Sequence, residues 1–285
     1  MNFTYFFDLY LMAANPPDFS QLPNERKLDI SHSLPTAFSE DYEFMSNLQF
    51  LARAQKDFFD NDPEKQKISI DSLLTISSKY GFGKNSIPSN FFHRLKSIIF
   101  DNESKLYVIE AALSLTESLI QLSPWTIPIF LELDFPSLLF EYLKSDLLGV
   151  PLSSIAFVLN ALIYNTEESY QALIQLDYLS YLIEASKPPF EISKAVWVLG
   201  SIETIISSPF FDRFDCFHDI VEMSLVYFDL ADKNQTHYPM TLVYLLFSRL
   251  LASYEQLTEE DFVSITTDLI IERAFEILCA DLRGS

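Results

Sequence analysis

The side chains with the greatest chemical reactivity in this sequence are scattered. There are two cysteines, and the four histidines are His32, His93, His218 and His237. Cys216-Phe217-His218 has the composition of half a metal site, but no second close pair completes it, and Cys279 stands alone. Because structural zinc requires four ligands, usually in two close pairs, we expect Cys216 to be a buried thiol rather than a zinc ligand. We predict no metal and no cofactor.

An acidic run at residues 57–62, DFFDND, resembles a calcium-binding loop in its charge only. It lacks the central glycine and the closing glutamate of such loops, so the end of a helix is the better interpretation. The sequence also contains no G-x-S-x-G, H-E-x-x-H, G-x-G-x-x-G or G-x-x-x-x-G-K-[ST] signature. We therefore expect that the protein is not an enzyme.

The balance of charge limits the classes of partner. The 285 residues include 40 acidic and 19 basic side chains, which give a net charge of −21. Such a surface repels phosphate backbones, which disfavours direct binding of nucleic acid. It favours a basic protein or peptide partner through long-range attraction. Solubility of an aromatic-rich surface is an equally good explanation of this charge.

The apolar content predicts a folded helical protein. Apolar residues make up 49% of the chain and only five residues are glycine, so disorder and turn-rich β folds are both excluded. No uncharged apolar stretch of about 18 residues appears, so we predict no membrane-spanning helix. Two cysteines in a chain of this length favour a reducing compartment. The expected location is therefore the cytoplasm or the nucleus.

Two regions of the chain differ in character. Residues 1–40 are aromatic and proline-rich with little helical period, whereas apolar residues recur at helical spacing across 41–285. Near the end, Thr258 and Asp261 form a predicted capping box, with a stripe of Phe262, Ile265, Leu269 and Phe275 behind it. This predicts a C-terminal helix whose charged face caps the domain.

Residues 133–202 contain an internal repeat. The segment at 133–139 (LDFPSLL) matches 176–182 (LDYLSYL) at an offset of 43, and 153–162 (SSIAFVLNAL) matches 193–202 (SKAVWVLGSI) at an offset of 40. Periods of roughly 40 to 47 residues, built from two or three helices, are typical of armadillo and HEAT proteins. In such stacks we expect Ala195 or Gly200 to permit close approach of neighbouring helices.

Residues 176–202 resemble an armadillo repeat, with a second helix at 179–183, a proline-bearing loop at 187–189 and a third helix at 194–202. Residues 133–165 resemble the preceding unit. The resemblance implies an all-α fold, specifically a right-handed α-solenoid of armadillo or HEAT-like helical repeats. It implies about five units over residues 41–285, clearest at 90–225.

Among armadillo families, the third helix at 195–202 is most similar to importin-α, whose groove carries a Trp and, four positions later, an Asn. The resemblance places Trp197 and Ser201 at these positions. The earlier units supply Phe157 and Ala161, then Leu113 and Glu117. The asparagine is absent from all three pairs, so the pattern is degraded. For Trp197 and Phe157, packing in the core is the alternative to exposure in a groove.

The expected function is that of a non-enzymatic scaffold or adaptor that holds a peptide or partner in a concave groove. In its narrower form it is a divergent importin-α-like cargo adaptor. The alternative is a chaperone nucleotide-exchange cofactor of the armadillo type, because residues 156–165 (AFVLNALIYN) are similar to the third helices of that family.

Overall fold

Helices of 6 to 18 residues succeed one another along the part of the chain that the structure describes. The structure is a computed structural model that describes residues 54–84, 86–88, 90–101, 103–145, 151–187, 192–234, 237–267 and 269–274. All regular structure in these ranges is helical, which confirms the predicted all-α class. The ranges belong to one compact unit that extends over 53–285, and the predicted segment 1–40 lies outside them.

The helices follow one another with short connections. In chain order they are α1 (Pro63–Tyr80), α2 (Phe91–Phe100), α3 (Leu106–Leu122), α4 (Ile127–Glu132), α5 (Phe135–Ser145), α6 (Leu152–Asn165), α7 (Glu167–Gln175), α8 (Tyr178–Ala185), α9 (Ile192–Ile206), α10 (Phe217–Asn234), α11 (His237–Ala252) and α12 (Glu259–Ile265). Single 3₁₀ turns precede α4 and α10 and follow α11. No helix in the described ranges has the length and apolar run that crossing a bilayer requires.

Five of these helices form what we call the helix row, which consists of α1, α3, α6, α9 and α11. Each member packs against the next: α1 on α3, α3 on α6, α6 on α9, and α9 on α11. The shorter helices cover one side of the row, as α5 and α7 do for α6 and α8 does for α9. In the middle of the row, α6 and α9 therefore each bury two flanks and one further side.

Local sequence signals set the ends of these helices. Asp62 caps α1, because its Oδ1 accepts a hydrogen bond from the backbone N–H of Glu64 at 2.9 Å and Pro63 occupies the first helical position. The acidic run at 57–62 thus connects two helical segments, because residues 57 and 58 end the first and Asp62 caps the second. Gly81 ends α1 with φ of +63°, and a Cβ there would lie 2.6 Å from the carbonyl oxygen of Leu122. Only glycine fits this joint.

Three hydrogen bonds between separate helices or turns have nearly the same sequence separation. Ser77 and Ser118 share a hydrogen bond at 2.8 Å, 41 residues apart. Asn160 donates to Ser201 at 3.1 Å with the same separation. Trp125 donates to the carbonyl oxygen of Phe82 across 43 residues. These separations fall within the predicted period, whereas others between separate helices or turns span 34 or 46 residues.

The two segments that the sequence comparison paired have the same local geometry. Asp134 and Asp177, 43 residues apart, are the two non-glycine residues with positive φ in the described ranges, at 60° and 61°. Each accepts a 2.5 Å hydrogen bond on Oδ1 from the serine three residues later, Ser137 or Ser180. A short polar side chain that bonds locally is what stabilises this left-handed backbone conformation.

Two structural predictions are wrong. The stripe behind the Thr258 cap does not continue along one helix, because α12 ends at Ile265 and leaves Phe262 and Leu269 about half exposed. The predicted close packing at Gly200 is also absent, since a Cβ there would meet no atom within 4 Å. The cap itself is confirmed, because Thr258 accepts from the backbone N–H of Asp261 at 3.1 Å.

Candidate protein-binding surface

The side of the helix row that the short helices leave uncovered is the candidate surface. On α6, the flanks pack on α3 and α9 and another side packs on α5 and α7. The remaining stripe reaches solvent. We call this stripe the row surface and define it by exposed or half-buried residues of α3, α6 and α9: Ser114, Glu117, Phe157, Tyr164, Val196 and Gly200.

The six residues predicted to line a groove divide into two groups. Glu117 and Phe157 lie on the row surface and are half-buried. The other four are buried in the interior of the protein: Leu113, Ala161, Trp197 and Ser201. Only 5% of Trp197 is exposed, so the indole packs in the core, the alternative that the sequence left open.

The difference comes from the rotation of each helix about its axis. Successive residues of an α-helix are turned by about 100°, so a shift of one position moves a side chain from the surface to a flank. On α9 the half-buried positions are Val196 and Gly200, each one residue before the predicted Trp197 and Ser201. On α3 the exposed residue is Ser114 rather than Leu113.

Asn160 is a residue of this region that the sequence analysis did not select. It lies next to the predicted Ala161, and only 7% of it is exposed. Its Nδ2 donates to Ser201 Oγ, which also accepts from the hydroxyl of Tyr178 at 3.4 Å. Its Oδ1 is buried and has no hydrogen-bond partner among the described residues. Such an acceptor costs free energy unless a ligand or water supplies a donor.

Glu117 has an unusual environment for a glutamate. Burial of its carboxyl group raises its pKa to about 7, although a hydrogen bond from Gln121 Nε2 to Glu117 Oε1, at 3.0 Å, opposes the rise. Neither α3 nor α6 contains a lysine or arginine. In the described part of the chain, no cationic side chain pairs with this carboxylate.

Cys216 and His218 both bond within the protein, whereas His32 and Cys279 lie outside the described residues. Cys216 is buried and its Sγ donates to the carbonyl oxygen of Arg213, and burial raises the pKa of the thiol to about 11. His218 Nδ1 lies 2.7 Å from Asp261 Oδ1, and this contact raises the pKa of the imidazole. Across the described ranges, no group of three or more His, Cys, Asp or Glu residues could hold a metal ion.

Comparisons with known proteins concern the fold. No protein-family profile and no curated protein matches the sequence. A crystal structure of an engineered protein from the Northeast Structural Genomics Consortium matches with a TM-score of 0.51 and 13% identity, covering 82% of this chain and 96% of that one. A second engineered protein from that consortium matches with a TM-score of 0.51, 14% identity and coverages of 77% and 54%. At this identity the likeness shows the arrangement of helices and nothing of function.

Proposed function

We propose that this protein is a non-enzymatic scaffold, a right-handed α-solenoid of armadillo or HEAT-like repeats, that holds a peptide or partner segment on the row surface. Three observations support the solenoid: the serial packing of the row helices, the hydrogen bonds at separations of 41 to 43 residues, and the matching turns at Asp134 and Asp177. In this proposal the protein acts in the cytoplasm or the nucleus.

The observation that carries the binding role is the character of the row surface at its centre. In a chain with a net charge of −21, the fourteen residues of α6 include no charged side chain. Two aromatic residues of α6, Phe157 and Tyr164, reach the surface there, and Gly200 on α9 leaves the neighbouring space open. An uncharged aromatic stripe within an acidic surface is what a protein-binding site requires.

The narrower importin-α-like role needs a different contact from that family's stacking tryptophan, because Trp197 is buried. Titration with a lysine-rich nuclear-localisation peptide tests this role directly. Binding of such a peptide clearly tighter than about millimolar at low salt would support the role. Affinity no tighter than about millimolar ends the narrower role and leaves the general scaffold in place.

Blocking the row surface tests the general proposal. The Gly200→Lys variant places a long side chain in the open space beside α6, so partners captured by the wild-type protein from cell extract are expected to be lost. The matched control is Gln175→Lys, which adds the same charge at an exposed position on α7. Equal recovery of partners with both variants would exclude the row surface from the binding role.

A further inference from the structure

Two glutamates occupy corresponding places on the helix row. Glu117 and Gln121 on α3 lie three and seven residues after the exposed Ser114, as Glu203 and Ser207 on α9 lie three and seven residues after the half-buried Gly200. In both pairs the residue four positions later donates to the glutamate Oε1: Gln121 at 3.0 Å, Ser207 at 2.7 Å. A half-buried glutamate on α3 and a buried glutamate on α9 therefore occupy matching positions, and α6 lies between these two helices in the row.

The protein neutralises the second of these carboxylates itself. Arg249, on the neighbouring row helix α11, donates from Nε to Glu203 Oε1 at 3.3 Å. Glu203 is buried, whereas the Arg249 side chain remains 45% exposed. An arginine that approaches from the solvent side thus satisfies this type of carboxylate, and guanidinium groups fit such an acceptor well.

Glu117 has the same position, but no arginine of the described residues pairs with it. The next row helix, α6, contributes Asn160 at the corresponding place, three residues after the half-buried Phe157, and Asn160 Oδ1 is buried without a donor among the described residues. Glu117 therefore accepts a hydrogen bond from Gln121 but lacks a cationic partner in this part of the chain. Phe157, one turn before Asn160, adds an aromatic ring to the same stripe, and guanidinium groups stack on such rings.

We infer that the row surface at Glu117 and Phe157 binds an arginine side chain of a protein partner, in the way that Glu203 binds Arg249 within the chain. This inference rests on the proposed scaffold function and specifies the chemistry of its partner. The guanidinium bonds to the half-buried Glu117 carboxylate and stacks on the ring of Phe157.

Selection from a random peptide display library against the full chain tests the inference. Selected peptides are expected to share an arginine, and replacement of that arginine by citrulline, its neutral isostere, should weaken binding to the wild type at least roughly tenfold. For Glu117→Gln, the arginine and citrulline peptides should bind within about twofold of each other. In the matched control, Glu110→Gln on the same helix, the tenfold difference should persist.

The outcomes separate this inference from the scaffold proposal. Peptides that bind the wild type without an arginine preference, or with lysine in its place, overturn the arginine site and leave the scaffold standing. The same is true if the difference between arginine and citrulline peptides survives in Glu117→Gln. If no peptide binds, the scaffold proposal fails and the arginine site with it. Carboxyl-carbon NMR adds a direct readout, because only the arginine peptide should lower the pKa of Glu117.

Discussion

The turns at Asp134 and Asp177, which with the turn at Gly81 we call the joints, differ from the row surface in how far their residues repeat along the chain. At the joints, Asp134 and Asp177 share the same backbone angles and the same serine contact. On the row, Glu117 and Glu203 share their place and their neighbour four residues later, but only Glu203 has an arginine partner. Positions that hold layers together repeat, whereas positions that face outward differ from layer to layer.

This difference has a physical cause. A joint must satisfy the same backbone groups and fill the same volume in every layer, so its geometry leaves little choice of residue. An outward position is not fixed by the packing of one described row helix on the next, so its residue can suit either a neighbouring helix, as Glu203 does, or a partner, as we infer for Glu117. Breaking matched residues in both regions tests whether this division holds.

The largest expected effect comes from matched core residues of two layers. Leu139 on α5 and Leu182 on α8, 43 residues apart, are both fully buried. Replacement of either by alanine should lower the free energy of unfolding by about 2 to 5 kcal/mol, and the two costs should agree within about 1 kcal/mol. Urea denaturation of both variants measures this, with the half-exposed Leu122→Ala as a control expected to cost much less. A large cost at only one leucine would contradict equivalent layers.

The next prediction is that replacing Glu117 or Glu203 by glutamine changes the free energy of unfolding in opposite directions at pH 8. Burial raises the pKa of Glu117 in the folded protein to about 7, from 4.5 in the unfolded chain. A raised carboxyl pKa favours folding below about pH 4.5, and this contribution is lost as the pH rises through 7. Glu117→Gln should therefore match the wild type near pH 4.5 and be more stable by up to about 3 kcal/mol at pH 8.

Glu203→Gln should have the opposite effect above pH 7. Its loss removes the charge-assisted hydrogen bond from Arg249, which should lower the free energy of unfolding by about 1 kcal/mol. Chemical denaturation at pH 5 and pH 8 for the wild type and both variants measures the comparison. If both variants change stability in the same direction at pH 8, the contrast between the two sites is wrong.

The sequence predicted the helices better than it predicted the residues of the row surface. The offsets of 40 and 43 residues, the third helix at 194–202 and the cap at Thr258 are all visible as spacing or as local side-chain chemistry, and these depend on nearby residues. The orientation of each helix depends instead on which neighbours cover it. The resemblance to importin-α predicted Trp197 as a groove residue. The residue before it, Val196, does lie on the row surface, but Trp197 itself is buried in the core.

Asn160 illustrates the limit on site prediction. An asparagine in an uncharged helix has no distinctive spacing in the sequence, because its importance depends on an oxygen that packing leaves without a donor. Glu117 was selected from the sequence because the importin-α resemblance placed it at a groove position, and it is one of two charged residues on an apolar helix. Its lack of a cation on α6 could also be read from the sequence, but only once the row packing of α3 on α6 was known.

Two glycines, one at a joint and one on the row surface, provide a further test of the difference between these regions. Gly81 lies at a joint, and Gly81→Ala should destabilise the protein by about 2 kcal/mol, because its positive φ and the contact with the Leu122 carbonyl both exclude a Cβ. Gly200 lies on the row surface inside α9, and Gly200→Ala should stabilise it by about 0.5 to 1 kcal/mol, since alanine favours the helix and space is available. Thermal unfolding of both variants measures this. A destabilising Gly200→Ala would mean that close packing governs this position after all.

The last prediction concerns the stability contributed by the two turns at Asp134 and Asp177. Asp134→Ala and Asp177→Ala each place a side chain without local hydrogen bonds in the left-handed conformation, so each should cost about 1 kcal/mol. Asp134→Asn and Asp177→Asn are the controls and should cost less, because asparagine accepts the same serine hydrogen bond and tolerates this backbone. Denaturant midpoints of the four variants measure the pattern. If the joints are truly repeated, the two alanine variants shift the midpoint equally, whereas a shift at one turn alone would show that joints also vary from layer to layer.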